Sequence, residues 1–343
     1  MEYYINNFDI ISALQLEENL SKLYPDPEFV FNLSRAKTFK PLPMLMMGSI
    51  IRRYRKKYPR NEFKLIGGRE HTYAGTMGFF KYISPEIPYG KAPGEATGNN
   101  NYIPITHISM KDLRKRQFEQ GKPNEDGLII EDEASRLSTV IDRGNRQLHF
   151  LFTYLIREIL RNIPEHAETD NIWICGQHWP SYNLAEIAIM DEGIGIYKSL
   201  IKNYAHREYI RDNKSALEWS LRAGISQATL PSRKQRNDDV WANSGFGLYV
   251  VNQVCTRLNG VFSLISYDDY IQLSNNDVNH GKTSFHGTAI GLKVPTSQIQ
   301  NAKLIISEIA LQGEKEAEEL HNAFKKASMP SKGLIEKNRN SLG

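Results

Sequence analysis

The chain contains three short groups of residues whose types and spacing suit a charged ligand. In the first group, Glu158 and Asn162 stand four residues apart in a stretch with helical apolar spacing, so their side chains share one helix face. A carboxylate and an amide placed in this way can hold a water molecule and a hard cation. The alternative is an ordinary solvated helix face, and the spacing alone does not decide between the two.

The second group is DEGIGI at residues 191–196, which directly follows an apolar strand pattern. Asp191 is therefore expected at a strand end, where Gly193 and Gly195 let the backbone turn and approach a ligand closely. The third group, SGFGL at residues 244–248, places Gly245 and Gly247 just before an apolar helix, where free backbone N–H groups favour an anion such as phosphate. Each motif alone also fits a plain turn.

Taken together and in this order, the three groups resemble the ATP-binding core of the GHKL superfamily, which includes DNA gyrase, histidine kinases and MutL. The resemblance spans about residues 143–295 and ends in the strand GTAIGLKVP at residues 287–295. It implies that ATP and Mg²⁺ are the cofactors, that Asn162 coordinates the metal, and that Glu158 orients or deprotonates the attacking water. One amide ligand is enough for Mg²⁺, which keeps several waters and phosphate oxygens.

The resemblance also assigns the adenine end of the site. Asp191 would accept a hydrogen bond from the adenine amino group, with Thr288 assisting through its hydroxyl or a water. An acceptor carboxylate selects adenine over guanine, because guanine presents an oxygen at that position. The remaining residues implied by the resemblance form the pocket walls and the phosphate cradle: Gly193, Gly195, Ile196, Gly245, Gly247 and Leu248.

In this family the segment between Ile196 and Gly245 is the ATP lid, and here it ends in a strongly charged run. Arg233, Lys234 and Arg236 are candidates to reach the phosphates, although solvated surface charges are the alternative for each of them. His166 completes the spacing Asn162-x-x-x-His166, which is typical of the anti-sigma kinase branch. We interpret it as a hydrogen-bonded structural histidine.

The elements around these groups are predicted from apolar periodicity. A long amphipathic helix should reach Asn162 and end before Pro164, followed by strands at NIWICG, LAEIAIM, VFSLIS and GTAIGLKVP and a helix from about Gly247 to Leu258. An open mixed sheet with helices on one face fits this order. A charged helix and a tail at residues 328–343 that we expect to be disordered follow.

The N-terminal segment has its own α/β pattern: a strand at FVFNL, a helix at PLPMLMMGSIIRRYRKKY and a strand at EFKLIGG. It resembles a STAS-type domain, the partner fold of anti-sigma kinases. Where that family carries a phosphorylatable serine, at the head of the helix, this chain has Lys40-Pro41-Leu42-Pro43. The resemblance therefore implies a scaffold or sensor rather than a phospho-switch.

Composition excludes several classes of protein. The 43 Lys and Arg against 39 Asp and Glu give a net charge of +4, and no basic stripe interleaved with aromatic residues is present, so nucleic acid is not an expected partner. No apolar run is long enough to span a bilayer, and the start MEYYINNFD does not look like a signal peptide, so we expect a cytoplasmic protein with no membrane partner. Cys175 and Cys255 are expected to be small core residues.

The sequence thus predicts an α/β (α+β) protein: a STAS-like domain at residues 1–85, a partly ordered, irregular connector at 86–142, a two-layer Bergerat-type ATP-binding sandwich at 143–296, and a helix with a tail at 297–343. The expected function is slow Mg²⁺-dependent ATP hydrolysis, with lid closure signalling to a protein partner or an adjacent domain. A serine kinase of the anti-sigma type and a non-catalytic nucleotide sensor are the alternatives. The sequence is also compatible with a homodimer.

Overall fold

A computed structural model describes residues 2–22, 28–122, 125–227, 245–275 and 277–321 of the chain. Helices combine with one antiparallel and one parallel sheet, which is an α+β architecture. The described strands are β1 (Glu2–Tyr4), β2 (Glu28–Asn32), β3 (Glu62–Ile66), β4 (Tyr102–Ser109), β5 (Asn171–Trp179), β6 (Leu184–Asp191), β7 (Val261–Ser266), β8 (Asp269–Ser274), β9 (Val278–Lys282) and β10 (Thr288–Pro295). The described α-helices are α1 (Ile10–Lys22), α2 (Pro41–Lys57), α3 (Thr72–Thr76), α4 (Phe79–Ile83), α5 (Met110–Glu119), α6 (Asp126–Thr139), α7 (Arg146–His166), α8 (Gly195–Leu200), α9 (Asn213–Ser220), α10 (Gly247–Arg257) and α11 (Ala302–His321).

The larger sheet has the strand order β4-β5-β6-β10-β7-β8-β9. Each described pair of neighbouring strands in it is antiparallel, so the prediction of a mixed sheet is wrong for this sheet. The reason is that β5–β6 and β7–β8 are joined by short reversals, which only antiparallel neighbours allow. β10 then returns between β6 and β7 and brings the two hairpins together.

Side chains of the larger sheet alternate between two apolar cores. On β6, Ile187 and Ile189 face the core formed with α7 and α10, whereas Ala188 and Met190 face a second core on the opposite side. The strands and helices predicted for this part of the chain are confirmed, although α8, α9, β8 and β9 were not predicted. The residues of β9 are mostly exposed and polar, so they carry no alternating apolar signal.

Helix α2 covers the second face of the larger sheet. It is buried continuously from Pro41 to Ile51 and contacts β5, β6 and β10 on one side and α1 and α4 on the other. Its Tyr54 ring also contacts Phe29 of β2, with 5.1 Å between the ring centroids. A helix that is apolar all round has to be enclosed. The expectation of helices on one face only is therefore wrong, because this N-terminal helix packs on the other face.

The smaller sheet consists of β1, β2 and β3, which pair in parallel in that order. The two strands and the helix predicted for this segment are confirmed as β2, β3 and α2. Residues 86–142, which the sequence predicted to be irregular, instead contain β4, α5 and α6. β4 completes the edge of the larger sheet and α6 packs along α7, so this stretch extends the same core.

Helix α7 continues to His166 instead of ending before Pro164. A proline in the last turn removes one backbone hydrogen bond, and the helical φ that proline prefers is otherwise compatible with the helix. The C-terminal helix is confirmed as α11, and residues 328–343 lie outside the described part of the chain. No helix among the described residues is both long and apolar enough to cross a membrane.

Candidate functional site

A cavity with about 750 Å³ of empty space lies where α7, the end of β6 and the start of α10 meet. Eight of the ten residues predicted for the ATP site line it together: Asn162, Asp191, Gly195, Ile196, Gly245, Gly247, Leu248 and Thr288. Most of the other walls are apolar, among them Ile159, Ile163, Ile189, Leu200, Ile225 and Ile290. Apolar walls with a few convergent polar groups are typical of small-molecule sites.

The polar end of the cavity is one row of the sheet. The register pairs Asp191 of β6 with Thr288 of β10, and Thr288 with Ser266 of β7. The fully buried Ser266 accepts the backbone N–H of Ile196 at 3.1 Å and donates to the Gly287 carbonyl at 3.2 Å. Ser266 thereby ties the start of α8 to β10, a role that the sequence analysis missed because a serine ending a strand carries no motif.

Asp191 is held firmly in this row. Its carboxyl group is 4% exposed, and Oδ1 accepts the Gly193 N–H at 2.8 Å. Burial raises the pKa of Asp191 from 3.8 to about 7, because hydrogen bonds from Gly193 and Thr288 only partly offset the desolvation of the charge. Gly193 itself does not line the cavity, so the structure gives it the role of orienting Asp191.

Glu158 lies beside the cavity wall rather than on it. Its carboxylate is 4% exposed and forms an ion pair with the buried Arg157. A Cβ atom added to Gly247 would lie 2.7 Å from Glu158 Oε2, so the absence of a side chain at Gly247 is what lets the first turn of α10 approach this carboxylate. The predicted catalytic carboxylate thus lies directly behind the predicted phosphate cradle.

Part of the predicted lid is folded around a small core of its own. Leu200, Ile210, Ala216, Trp219 and Ile225 form this core, and they connect α8, α9 and the cavity. Next to it, His206 Nε2 lies 2.9 Å from the Ser226 carbonyl oxygen and Asn203 Nδ2 donates to the Gln227 carbonyl at 3.2 Å. These bonds hold the backbone of Ser226 and Gln227 at the cavity, where both residues line the wall.

Several polar residues of the lining were not predicted from the sequence: Ser199, Ser220, Ser226 and Gln227. They lie in or next to the predicted lid, whose sequence is mostly polar. Their position at the cavity depends on the small core of Leu200, Ile210, Ala216, Trp219 and Ile225. His166, interpreted as structural, also lines the cavity because α7 extends past Pro164.

Charge for a phosphate group has to come from outside the described lining, since no Lys or Arg is part of it. The predicted lid residues Arg233, Lys234 and Arg236 lie outside the described residues. Among the residues that the structure places, no group of three or more His, Cys, Asp or Glu side chains could hold a metal ion. A cation here would therefore depend on Asn162 and on the ligand's own oxygens.

A second cluster has the geometry of a Ser-His-Asp triad. His149 Nδ1 lies 2.8 Å from Asp142 Oδ2, and His149 Nε2 lies 3.3 Å from Ser135 Oγ. Ser135 is inside α6, however, where backbone N–H groups are used in helical hydrogen bonds and cannot form an oxyanion hole. Asp142 also accepts the Gly144 N–H at 2.7 Å, so the cluster fixes the start of α7.

Both predicted core cysteines, Cys175 and Cys255, are buried free thiols. Burial raises the pKa of Cys255 to about 12 and that of Cys175 well above its ordinary value, so neither is a nucleophile near neutral pH. Comparison with protein-family models, with curated proteins and with solved structures found no match to this chain.

Proposed function

We propose that the cavity binds Mg²⁺-ATP and that the protein is a slow ATPase of the GHKL type, whose lid closure signals to a partner or to the N-terminal part of the chain. The observation that carries this proposal is the convergence of Asp191, Asn162 and the start of α10 on one cavity. These come from three elements far apart in sequence, and each suits a different part of the nucleotide.

The adenine ring would lie at the polar end of the cavity, beside Asp191 and Thr288, where a carboxyl oxygen can accept a hydrogen bond from the exocyclic amine. The apolar walls, such as Ile189 and Ile290, suit the two faces of a planar base. The phosphates would lie at the start of α10, whose first backbone N–H groups and dipole favour an anion.

Glu158 and Asn162 would act at the phosphate end. Asn162 would ligate Mg²⁺, which when bound neutralises charge on the phosphates. Glu158 would position a water or accept its proton, and its place behind Gly247 supports that role. In this structure the carboxylate is paired with Arg157, so the proposal requires Glu158 to exchange that partner for a water molecule when ATP is bound.

We further assign the larger sheet with α7 and α10 to a Bergerat-type ATPase fold, and β1–β3 with α1 and α2 to a STAS-like unit. Support for a scaffold role of that unit comes from the head of α2, where Lys40 is the N-cap and Pro41 begins a continuously buried helix. Residues 40–43 at this head include no Ser or Thr. We also propose a cytoplasmic location, in keeping with the use of ATP.

Incubation with Mg²⁺ and ATP labelled at the γ-phosphate tests the proposal. Free labelled phosphate supports the ATPase, label on the protein or an added protein indicates the kinase, and binding without turnover indicates the sensor. Asp142→Asn is a matched control for Asp191→Asn, because both are buried aspartates that accept a glycine N–H two residues on. Failure of the wild type to bind ATP at millimolar concentration would refute the proposal.

A further inference from the structure

Helix α2 lies in a channel of small side chains on the larger sheet. Cys175, Ala188, Gly291 and Ser263 are consecutive register partners across β5, β6, β10 and β7. A Cβ atom on Gly291 would lie 2.6 Å from Leu42 Cδ2, so a larger residue at this strand position would require the Leu42 side chain to move. Cys175 Sγ also donates to the Pro41 carbonyl at 3.3 Å. The sheet is shaped to receive this helix.

Farther along, α2 reaches the turn that follows Asp191. The fully buried Ser49 donates its hydroxyl to Glu192 Oε1 at 2.6 Å, and Arg52 Nη1 lies 3.5 Å from the same oxygen. The Arg52 guanidinium is itself held over two rings, 4.9 Å from the centroid of Tyr82 and 4.7 Å from that of Trp173. Glu192 thus has two fixed partners on the N-terminal helix.

The same turn is held on its other sides by the ATPase part of the chain. Gly193 donates its N–H to Asp191 and accepts a hydrogen bond at its carbonyl from the Tyr267 hydroxyl at 3.1 Å. Ile194 donates its N–H to the Ala167 carbonyl at 3.0 Å. The N-terminal part of the chain holds this turn in place through the contacts of Ser49 and Arg52 with Glu192.

We propose that Ser49 and Arg52 are positioning residues of the nucleotide site, acting through Glu192 on the placement of Asp191, so that the packing of α2 and the affinity for adenine nucleotides are coupled. This inference rests on the proposed function. Coupling is reciprocal: a nucleotide that requires the observed turn geometry stabilises α2 on the sheet, and a signal that shifts α2 weakens nucleotide binding. The N-terminal part is then a built-in regulator of the site.

If Glu192 acted only through its charge, its removal would strengthen nucleotide binding, whereas a positioning role predicts weaker binding. Burial is the main cause of the raised pKa of Asp191, and the negative charge of Glu192 contributes in the same direction. Removing only this charge would favour the ionised Asp191, which is the better acceptor, and would strengthen binding. Positioning predicts weaker binding, so the sign of the change distinguishes the two roles.

The test measures the affinity for a non-hydrolysable ATP analogue by calorimetry in the full-length protein, with thermal melts as the folding control. Ser49→Ala and Glu192→Ala should each weaken binding by about fivefold or more. The double variant should bind like Glu192→Ala alone, because the hydroxyl acts only through that carboxylate. Ser84→Ala is the matched control, since Ser84 is 2% exposed and donates to Glu86 at 3.1 Å in the same part of the chain.

Hydrogen exchange adds a readout that a merely structural serine would not change. The analogue should slow exchange in residues 41–57 of the wild type and of Ser84→Ala, and this protection should be lost in Ser49→Ala. Equal affinities for Ser49→Ala and Ser84→Ala, or tighter binding by Glu192→Ala, would overturn the inference while leaving the proposed function standing. A wild type that binds no nucleotide would instead refute the proposed function itself. If Ser49→Ala does not fold, Glu192→Ala gives the deciding sign.

Discussion

Replacing Asp191 with Asn is expected to stabilise the folded protein at alkaline pH while weakening nucleotide binding. Burial raises the pKa of this carboxyl from 3.8 to about 7, so the folded state holds a proton that the unfolded state has released. Between these two values stability falls as pH rises, because the folded state binds more protons than the unfolded state. The loss is complete above pH 7.

The magnitude follows from 1.36 kcal/mol per pKa unit. At pH 8 the buried, ionised carboxyl destabilises the folded state by roughly 4 kcal/mol, given the pKa values of 3.8 and about 7. At pH 5 the folded carboxyl is protonated, and the uptake of that proton costs roughly 2 kcal/mol. An Asn amide brings two donors into the same place and costs about 1–3 kcal/mol if they lack acceptors. The substitution should therefore be nearly neutral at pH 5 and stabilising by about 2 kcal/mol at pH 8.

Urea unfolding of both proteins at pH 5 and pH 8, monitored by tryptophan fluorescence, measures this difference. The cost of the amide is the same at both pH values and cancels in the comparison, so the expected change is roughly 2–3 kcal/mol between them. The reasoning about Asp191 is refuted if its substitution changes stability equally at both pH values.

At pH 8, where Asp191 is ionised, the same substitution should weaken ATP-analogue binding roughly ten- to hundredfold, because one charge-assisted hydrogen bond is worth about 1.5–3 kcal/mol. Stability and affinity then change in opposite directions, which separates loss of the binding group from loss of the fold. Unchanged affinity by calorimetry would exclude Asp191 from the proposed adenine site.

Three further predictions concern other parts of the site. Glu158→Gln should keep Mg²⁺-ATP binding but lower turnover at least about a hundredfold, whereas Asn162→Ala should lose the Mg²⁺-dependent part of the affinity; equal turnover with and without the Glu158 carboxylate excludes it as the base. Ser266→Ala should lower stability by about 1–3 kcal/mol, since it leaves a buried N–H without its acceptor, and should weaken nucleotide binding; a variant that melts and binds like wild type would show the tie to be dispensable. A non-hydrolysable ATP analogue should slow tryptic cleavage after Arg233 and Lys234, and an unchanged digestion pattern would remove the lid from the mechanism.

The residues of the cavity were largely predictable because their signals are local. An i,i+4 pair on an apolar-periodic helix places Asn162 on a definite face, and an acidic residue directly after an apolar strand places Asp191 at a sheet edge. That these residues converge on one cavity depends on the fold, and it could be predicted only from the resemblance to the GHKL superfamily. Ser266 and Ser226 carried no such signal, since each is a single serine positioned by the register of β7 or by the small core beneath α8 and α9.

The irregular composition of residues 86–142 concealed three elements. Gly, Pro and Asn dominate its first third, and α5 has an almost entirely polar exposed side, which weakens the apolar periodicity on which the prediction depended. α6 itself has helical apolar spacing, with Ile129, Ala134 and Leu137 packed on α7, but the Gly- and Pro-rich stretches before it led to the prediction that the whole segment is irregular. Pro164 misled the prediction in the opposite direction, because a proline in the last turn removes only one helical hydrogen bond.

The packing of α2 on the larger sheet could not be deduced from either part alone. The apolar run from Pro41 to Ile51 indicates that this part of α2 is buried. The sequence does not indicate which elements enclose it. Cys175, Ala188 and Gly291 are separated by up to 116 positions and form one channel only when the register of β5, β6 and β10 is known. That channel places Ser49 against Glu192, one residue after Asp191. A domain boundary between the N-terminal segment and the proposed ATP-binding part would therefore cut through the support of the proposed adenine site. Expression of residues 86–321 alone, which keeps β4, α5 and α6 but lacks α2, should therefore yield a protein with an exposed apolar sheet face and weak nucleotide affinity. A well-folded fragment that binds ATP as tightly as the whole chain would show that α2 contributes nothing to the site.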